Sequence, residues 1–542
     1  MKSNRFDIPK RWFWFSGLYL LPITSILLVM IYQIIHLNWL FFLILLFLPS
    51  LMICCININW KTKYNLSKFD LLSLLKFVKQ LPSKEKQKAM YPDIPERWLS
   101  KKVDGIVLGK QNNKFVRYQV DNNNILHACL LGGPGSGKSS TMLISMISNF
   151  MKLNHELTYM AVDIKPELAL KSVNIYEDES VRVINPTEAY GPGWNAYFMI
   201  DETSSDDDVL DTLDNIARSL IISSSPTDRF FVEGAVKIFK GLMLYGFRQH
   251  KDFVTSIEDI LAANVQERII EILHDEDLIS CHPKIRFLLS EYEGVDSEAF
   301  DDLSIEMKMP LSIFFNDSVR YTFKDAAIKA TPKDLDNRTS IFLAMPESKL
   351  EQFAGLFRMM LYQTLAYMET RKESSNPVVM FIDEFARLGK IEKIVNALAT
   401  LRSRRVSIWM AFQDLSQLEK SYGYEWARSI WNLCSIHEIL SCSDIKTNEM
   451  LSKMAGHYTE IKKTQNVKRF ELTAENNSYS DIDKPVLEIS DIAELRDRKE
   501  AIIFLENKYY RAKKTAYFEV KELVEYSDKV KEINETNSLF RW

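Results

Sequence analysis

The sequence predicts an α/β protein with a mostly parallel sheet, interrupted by an all-helical insertion and preceded by a two-helix transmembrane hairpin. Three observations carry this. Short apolar runs alternate with helical patterns on either side of a central stretch, which is the rhythm of βαβ units. Between residues 201 and 310 strand-like alternation is absent and only helical spacing remains. Two long uncharged segments lead the chain. With 542 residues, 46% hydrophobic and 26% charged, there is room for two or three domains with real cores, and a disordered polymer is excluded.

Charge is strongly segregated beneath a net of −4. Residues 1–121 hold 18 Lys/Arg against 7 Asp/Glu, whereas residues 201–320 hold 11 against 25. No global basic footprint announces nucleic acid. The six cysteines make no CxxC pair and the eight histidines show no metal-ligand spacing. A reduced, cytosol-facing protein is the reading that fits.

The first element is the hairpin. Residues 12–35 and 39–58 carry no charge; as helices they extend about 36 and 30 Å, enough for the roughly 30 Å hydrocarbon core of a bilayer. Only His36, Leu37 and Asn38 separate them, so the two must run antiparallel. Lys2, Arg5, Lys10 and Arg11 precede the pair and Lys61, Lys63 and Lys68 follow it, which puts both ends on the cytoplasmic side. A cleaved signal would have a shorter apolar region and a small-residue cleavage site. The stretch from Asn59 to Lys102, with 11 Lys/Arg against 4 Asp/Glu, reads as a basic linker suited to an anionic leaflet.

The second element is a phosphate cradle. In "ILHACLLGGPGSGKSSTMLISMISNF" an apolar run enters a glycine-rich turn and leaves as an apolar helix. Gly132, Gly137, Lys138 and Ser139 fit G-x-x-x-x-G-K-[ST], and Gly133, Pro134, Gly135, Ser136 and Ser140 complete the loop. Glycines let backbone N–H groups close around phosphate oxygens at a helix N-terminus. Lys138 is expected on the β- and γ-phosphates of ATP and the Ser139 hydroxyl on Mg²⁺.

A matching carboxylate follows much later. "VVMFIDEFARLGK" drives five apolar residues into Asp383 and Glu384, and charges there are costly unless a cation or a reaction needs them. Asp383 is expected to hold the Mg²⁺ water shell from the tip of a neighbouring parallel strand, with Glu384 polarising the attacking water. Together with the cradle this predicts a RecA-like P-loop NTPase. Further apolar runs at 340–345, 406–412 and 435–442 each precede a helical pattern.

The central stretch differs. "DDDVLDTLDNIARSLI" places Val209, Leu210, Leu213, Ile216, Ala217 and Leu220 at helical spacing. Pro226 suits a first helical turn, and Thr255 with Glu258 reads as a capping box. An acidic helical insertion suits a basic protein partner better than a phosphate backbone; acidity for solubility alone is the other reading. The organisation is then a hairpin at 1–60, a basic linker at 61–102, nucleotide-binding parts at 103–200 and 319–525, an all-α insertion at 201–318, and a charged tail at 526–542.

Several stretches together resemble the type IV secretion coupling proteins, the TraG/TraD group of membrane-anchored, ring-forming ATPases. They are the hairpin, "GPGSGKS", "VDIKPELA" (162–169), "GWNAYF" (193–198), "FIDEFARLGKI", "AFQDLSQLEKSYG" (411–423) and the closing "AIIFLENKYYRAKKTAYF". The likeness covers most of the chain in the family's order. It departs at Pro134, where Thr is common, and at Ala196, where Pro is usual. The resemblance implies that Gln413 senses the γ-phosphate and that Arg402 reaches a neighbouring subunit's ATP, with Arg404 and Arg405 as rivals. It also places Asp163, Lys165 and Glu167 beside the nucleotide.

What the resemblance implies about function is a hexameric ATP-hydrolysing motor at the bacterial inner membrane. It would recruit a relaxase-bound nucleoprotein, hence DNA, or protein effectors to the other components of a secretion channel. A chromosome-type DNA translocase is the nearest alternative, although only a short charged tail follows residue 525. An ATP-binding-cassette transporter would need an LSGGQ-like signature, which is absent. A docking receptor with a vestigial ATPase is the alternative from another class.

Overall fold

Val378–Ile382 is apolar at every position because both faces of its strand are covered. In the computed structural model, which describes residues 92–536 apart from 121–123, 152–156, 223–228, 466–476 and 507, Val378, Met380 and Ile382 join one core. Val379 and Phe381 join a second core. The described residues fall within one unit, Lys88–Trp542. The hairpin expected at 1–60 and most of the linker at 61–102 lie outside them. Among the described residues no helix is long and apolar enough to cross a membrane.

The strands in chain order are β1 (Leu99–Ser100), β2 (Ile106–Gln111), β3 (Lys114–Tyr118), β4 (Ala128–Leu131), β5 (Thr158–Asp163), β6 (Val181–Ile184), β7 (Gly193–Trp194) and β8 (Lys329–Ala330). They continue as β9 (Ser340–Ala344), β10 (Val378–Ile382), β11 (Val406–Phe412), β12 (Ile436–Ile439), β13 (His457–Gln465), β14 (Asn477–Pro485), β15 (Glu500–Leu505) and β16 (Lys508–Lys513). Twelve of them form one sheet in the order β1-β3-β2-β16-β15-β12-β4-β11-β10-β5-β9-β6. From β12 to β6 every neighbouring pair is parallel. The remaining five strands extend the sheet antiparallel from β12. The expected mostly parallel sheet is present, with an antiparallel wing drawn from both flanks of the folded chain.

One expectation is corrected here. Asp383 directly follows β10, which does not neighbour the P-loop strand β4; β11 lies between them. Chain order could not reveal this, because a parallel crossover can step over a position that a later strand fills.

Helices cover both faces. The P-loop helix Lys138–Phe150 packs in the same core as Leu168 and Leu523. Helices Leu350–Thr370, Ile394–Thr400, Leu415–Tyr422 and Tyr424–Leu433 bury their apolar sides in the other.

Between β7 and β8 no strand occurs among the described residues; helices run from Asp206 to Arg320. The first, Asp206–Leu220, opens with a capping box made by Ser205 and Asp208, and its three leading aspartates complement the helix dipole. Many carboxylates in this region are answered locally, among them Asp206 by Arg248 at 2.7 Å, Asp214 by Lys240 at 2.8 Å and Glu291 by Lys237 at 2.6 Å. The Thr255–Glu258 capping box is not found. Helix Phe253–Ala262 is capped by Asp252, which accepts from Thr255 N, so Thr255 stands inside the first turn. Pro226 lies outside the described residues.

"GWNAYF" has a packing explanation. A Cβ on Gly193 would fall 2.1 Å from Thr322 O, so only glycine admits the β7–β8 pairing there. Trp194 is fully buried and donates through Nε1 to Gln363 Oε1 at 2.8 Å, while Gln363 Nε2 donates to Ala196 O at 2.7 Å. These bonds fasten the start of the helical region to helix Leu350–Thr370.

Candidate nucleotide site

The P-loop is shaped by positions that tolerate no side chain. A Cβ on Gly132 would lie 2.1 Å from Ser136 Oγ. Gly132 N donates to Phe412 O at 3.1 Å, which ties the loop to the tip of β11 and brings the following residue, Gln413, beside it. Gly137 takes φ 107° as the N-cap of helix Lys138–Phe150, a conformation that favours glycine. The first N–H groups of that helix have no intrahelical acceptors.

Lys138, Asp383, Glu384 and Gln413 line one cleft of about 1150 Å³ with Gly133, Pro134, Gly135, Ser136, Gly137, Ser139 and Ser140. Lys138 is buried; its Nζ donates to Gly132 O at 2.6 Å and lies 3.5 Å from Glu384 Oε1. Glu384 N donates to Asp383 Oδ1 at 3.0 Å. Burial, and then the charge of Glu384, push the Asp383 carboxyl up to about 6 against the opposing pull of Lys138. Glu384 Oε2 and Ser136 Oγ are buried without a hydrogen-bond partner among the described residues.

These features suit a nucleoside polyphosphate with a divalent cation. Two crowded carboxylates call for positive charge, and the mouth of the loop offers N–H groups, an ammonium and the hydroxyls of Ser139 and Ser140. Among the described residues no group of three or more His, Cys, Asp or Glu could hold a metal alone. A magnesium ion here would therefore take phosphate oxygens among its ligands, as Mg²⁺ commonly does.

Of the D-x-K-x-E stretch, Lys165 and Glu167 line the cleft. Asp163 is fully buried and accepts from Leu168 N at 2.8 Å and Ala169 N at 3.0 Å. It is a backbone acceptor that shapes the turn, and burial pushes its carboxyl up to about 7. Lys165 Nζ pairs with Glu347 at 3.3 Å, and Glu347 also accepts from Arg387 at 2.6 Å.

Arg402 is not gathered into this cleft. It sits on the 3₁₀ turn Leu401–Arg404, ahead of β11. Seven-residue β11 separates it from Gln413 by about 20 Å of strand. Its Nε donates to Ile125 O at 2.8 Å and the residue is exposed. Arg404 and Arg405 bond the carbonyls of Arg371 and of Ser374 and Ser375.

The sequence reading missed the wall opposite the P-loop. Arg496, Arg498 and Lys499, at the end of helix Ile489–Arg498, share the cleft with Arg511, Lys513 and Lys514 from β16 and its exit. Arg511, Lys513 and Lys514 fall in the closing stretch quoted for the resemblance, but nothing local shows that any of the six faces the loop, from which more than 350 residues separate them.

A family model for type IV secretory system conjugative DNA transfer matches residues 79–539. Among curated relatives, protein VirD4 of Rhizobium rhizogenes is 23% identical over 184 residues, 33% of this chain and 27% of that protein. VirD4 of Rhizobium radiobacter is 20% identical over 315 residues, 56% of this chain and 44% of that protein. Conjugal transfer protein TraG of Agrobacterium fabrum is 24% identical over 362 residues, 62% and 52% respectively. The matched stretches thus span about a quarter to a half of those relatives. Among solved structures, the plasmid coupling protein TrwB in complex with a non-hydrolysable ATP analogue aligns with a TM-score of 0.57 at 17% identity, covering 80% of this chain and 92% of that one. TrwB with ADP and Mg²⁺ gives 0.57 at 16%, covering 80% and 91%. At such identity the likeness is one of fold.

Proposed function

This chain belongs to the conjugative DNA transfer family of type IV secretory systems, and from that premise we propose that it is a membrane-anchored ATPase coupling a cargo to a secretion channel. The cargo class is a relaxase-bound DNA or a protein effector. One observation supports the ATPase reading above the rest: Lys138 stands 3.5 Å from Glu384 inside a cleft that Asp383 and Gln413 also line. TrwB, one of the similar solved structures, has been captured with an ATP analogue and with ADP and Mg²⁺.

Bound MgATP would supply the cleavable phosphoanhydride and the metal's charge. The P-loop N–H groups and Lys138 hold phosphate, and the Ser139 hydroxyl and Asp383 carboxylate serve as metal ligands. Glu384 accepts a proton from the attacking water, and the Gln413 amide lies where it can report phosphate occupancy. Arg402 is too far along β11 to serve its own cleft, so its part is on a neighbouring subunit of a homo-hexamer. The uncharged segments at 12–35 and 39–58 provide the anchor, and the acidic region 201–318 is the candidate receptor for a basic cargo protein.

The test is transfer between cells carrying the cognate system. Lys138→Ala and Glu384→Gln should each abolish transfer while the protein still fractionates with membrane. Normal transfer by the Glu384→Gln protein would overturn the motor reading.

A further inference from the structure

The wall that faces the P-loop is rich in cations, and its two other arginines already have carboxylate partners. Arg498 pairs with Asp491 at 3.0 Å and with Glu494. Arg511 pairs with Asp491 at 2.9 Å and lies 3.8 Å from Glu500. Lys110, on the adjoining β2, lies 3.8 Å from Glu519. Arg496, like Lys499, Lys513 and Lys514, has no carboxylate within ion-pair distance among the described residues; it is the guanidinium of that set, and its side chain is exposed in the cleft.

Its position is specific. A Cβ on Gly135 would fall 3.3 Å from Arg496 Nη2, so the guanidinium rests against the P-loop backbone. Gly135 itself takes φ 71°, where glycine is favoured. A permanently charged planar fork, held against a phosphate-binding loop and left without an acid, matches the geometry of phosphate oxygens. The antiparallel wing explains how it comes to be there. Helix Ile489–Arg498 leads directly into β15, which pairs with β12, the strand next to P-loop strand β4.

We propose that Arg496 binds the polyphosphate chain of the nucleotide in cis, closing from the C-terminal wall the cleft that the P-loop opens. This rests on the reading of the cleft as a nucleotide site. It assigns the antiparallel wing a role in ligand binding, distinct from any arginine supplied by a neighbour.

Titration of the protein with Mg²⁺-ATP, ADP and AMP tests it, using Arg496→Ala, Arg496→Lys, Arg286→Ala and Lys138→Ala beside wild type. The expected result is that Arg496→Ala raises the Kd for ATP and ADP by about tenfold or more and for AMP much less. Arg496→Lys should recover part of the loss, and Arg286→Ala, on helix Pro283–Leu289 outside the cleft, should bind as wild type does. An ATP Kd for Arg496→Ala within about twofold of wild type, while Lys138→Ala is impaired, overturns this inference alone. If wild type does not bind ATP, or Lys138→Ala binds it undiminished, the nucleotide reading falls and takes this inference with it.

Discussion

Glu384 holds its backbone at φ 49°, a left-handed conformation that costs a non-glycine residue about 1–2 kcal/mol. The same residue adds a second carboxylate beside buried Asp383. Both features oppose stability, and both put a carboxylate oxygen at the mouth of the phosphate cradle. Glu384→Gln removes the charge repulsion and keeps the shape. It should unfold at a denaturant concentration no lower than wild type in metal-free buffer, yet turn over ATP at least about 100-fold more slowly. A variant that was markedly less stable and equally active would contradict this assignment. His127 gives a second residue-scale prediction. Burial, reinforced by the nearby Arg402 charge, pushes its pKa down from 6.5 to about 3, and Nδ1 accepts from Ile408 N at 3.0 Å. Because the native pKa lies below the unfolded one, this histidine's contribution is complete above pH 6.5 and is lost as pH falls toward 3. His127→Asn should therefore lose less stability than wild type between pH 6.5 and 4, by on the order of 1 kcal/mol per pH unit, in urea melts. Parallel pH profiles of the two proteins would refute it.

At the scale of elements, what could be read in advance follows from how each element is buried. β10 and β11 stand out as continuous apolar runs because both of their faces are covered. β3 and β16, "KFVRY" and "KYYRAK", mix charges with buried residues, so neither shows as an apolar run and neither reveals its place in the sheet. The helix cap at Asp252 was missed because Thr255 and Glu258 imitate a capping box one turn later. Least visible was the role of Arg358 on helix Leu350–Thr370. It is buried with no acid as partner among the described residues, donates to Ser219 O at 3.0 Å and Leu388 O at 2.8 Å, and burial pushes its pKa down to about 10. One guanidinium thereby joins the last turn of the first insertion helix to the turn that carries Glu384. Arg358→Met fills similar volume and leaves both carbonyls without that donor. It should lower stability by about 1–3 kcal/mol in urea unfolding; an unchanged midpoint would show that the clamp holds nothing.

At the scale of the whole molecule, motifs identified the parts of the cleft and topology assembled them. Lys138, Asp383 and Gln413 come from three strand ends of one parallel sheet, where α/β proteins gather ligands. The insertion of β11 between β4 and β10, and the cationic wall delivered by β15 and β16, are spatial facts that no local pattern encodes. The claim on which the account depends is that a magnesium nucleotide is cleaved between the P-loop and the β10 tip. Phosphate release from ATP by the full-length protein in lipid vesicles, at concentrations that allow subunits to associate, measures it most directly. The account predicts release that requires Mg²⁺, stops with a chelator, and falls at least about 100-fold in Asp383→Asn. Release by Asp383→Asn at the wild-type rate, or release indifferent to the chelator, would contradict it.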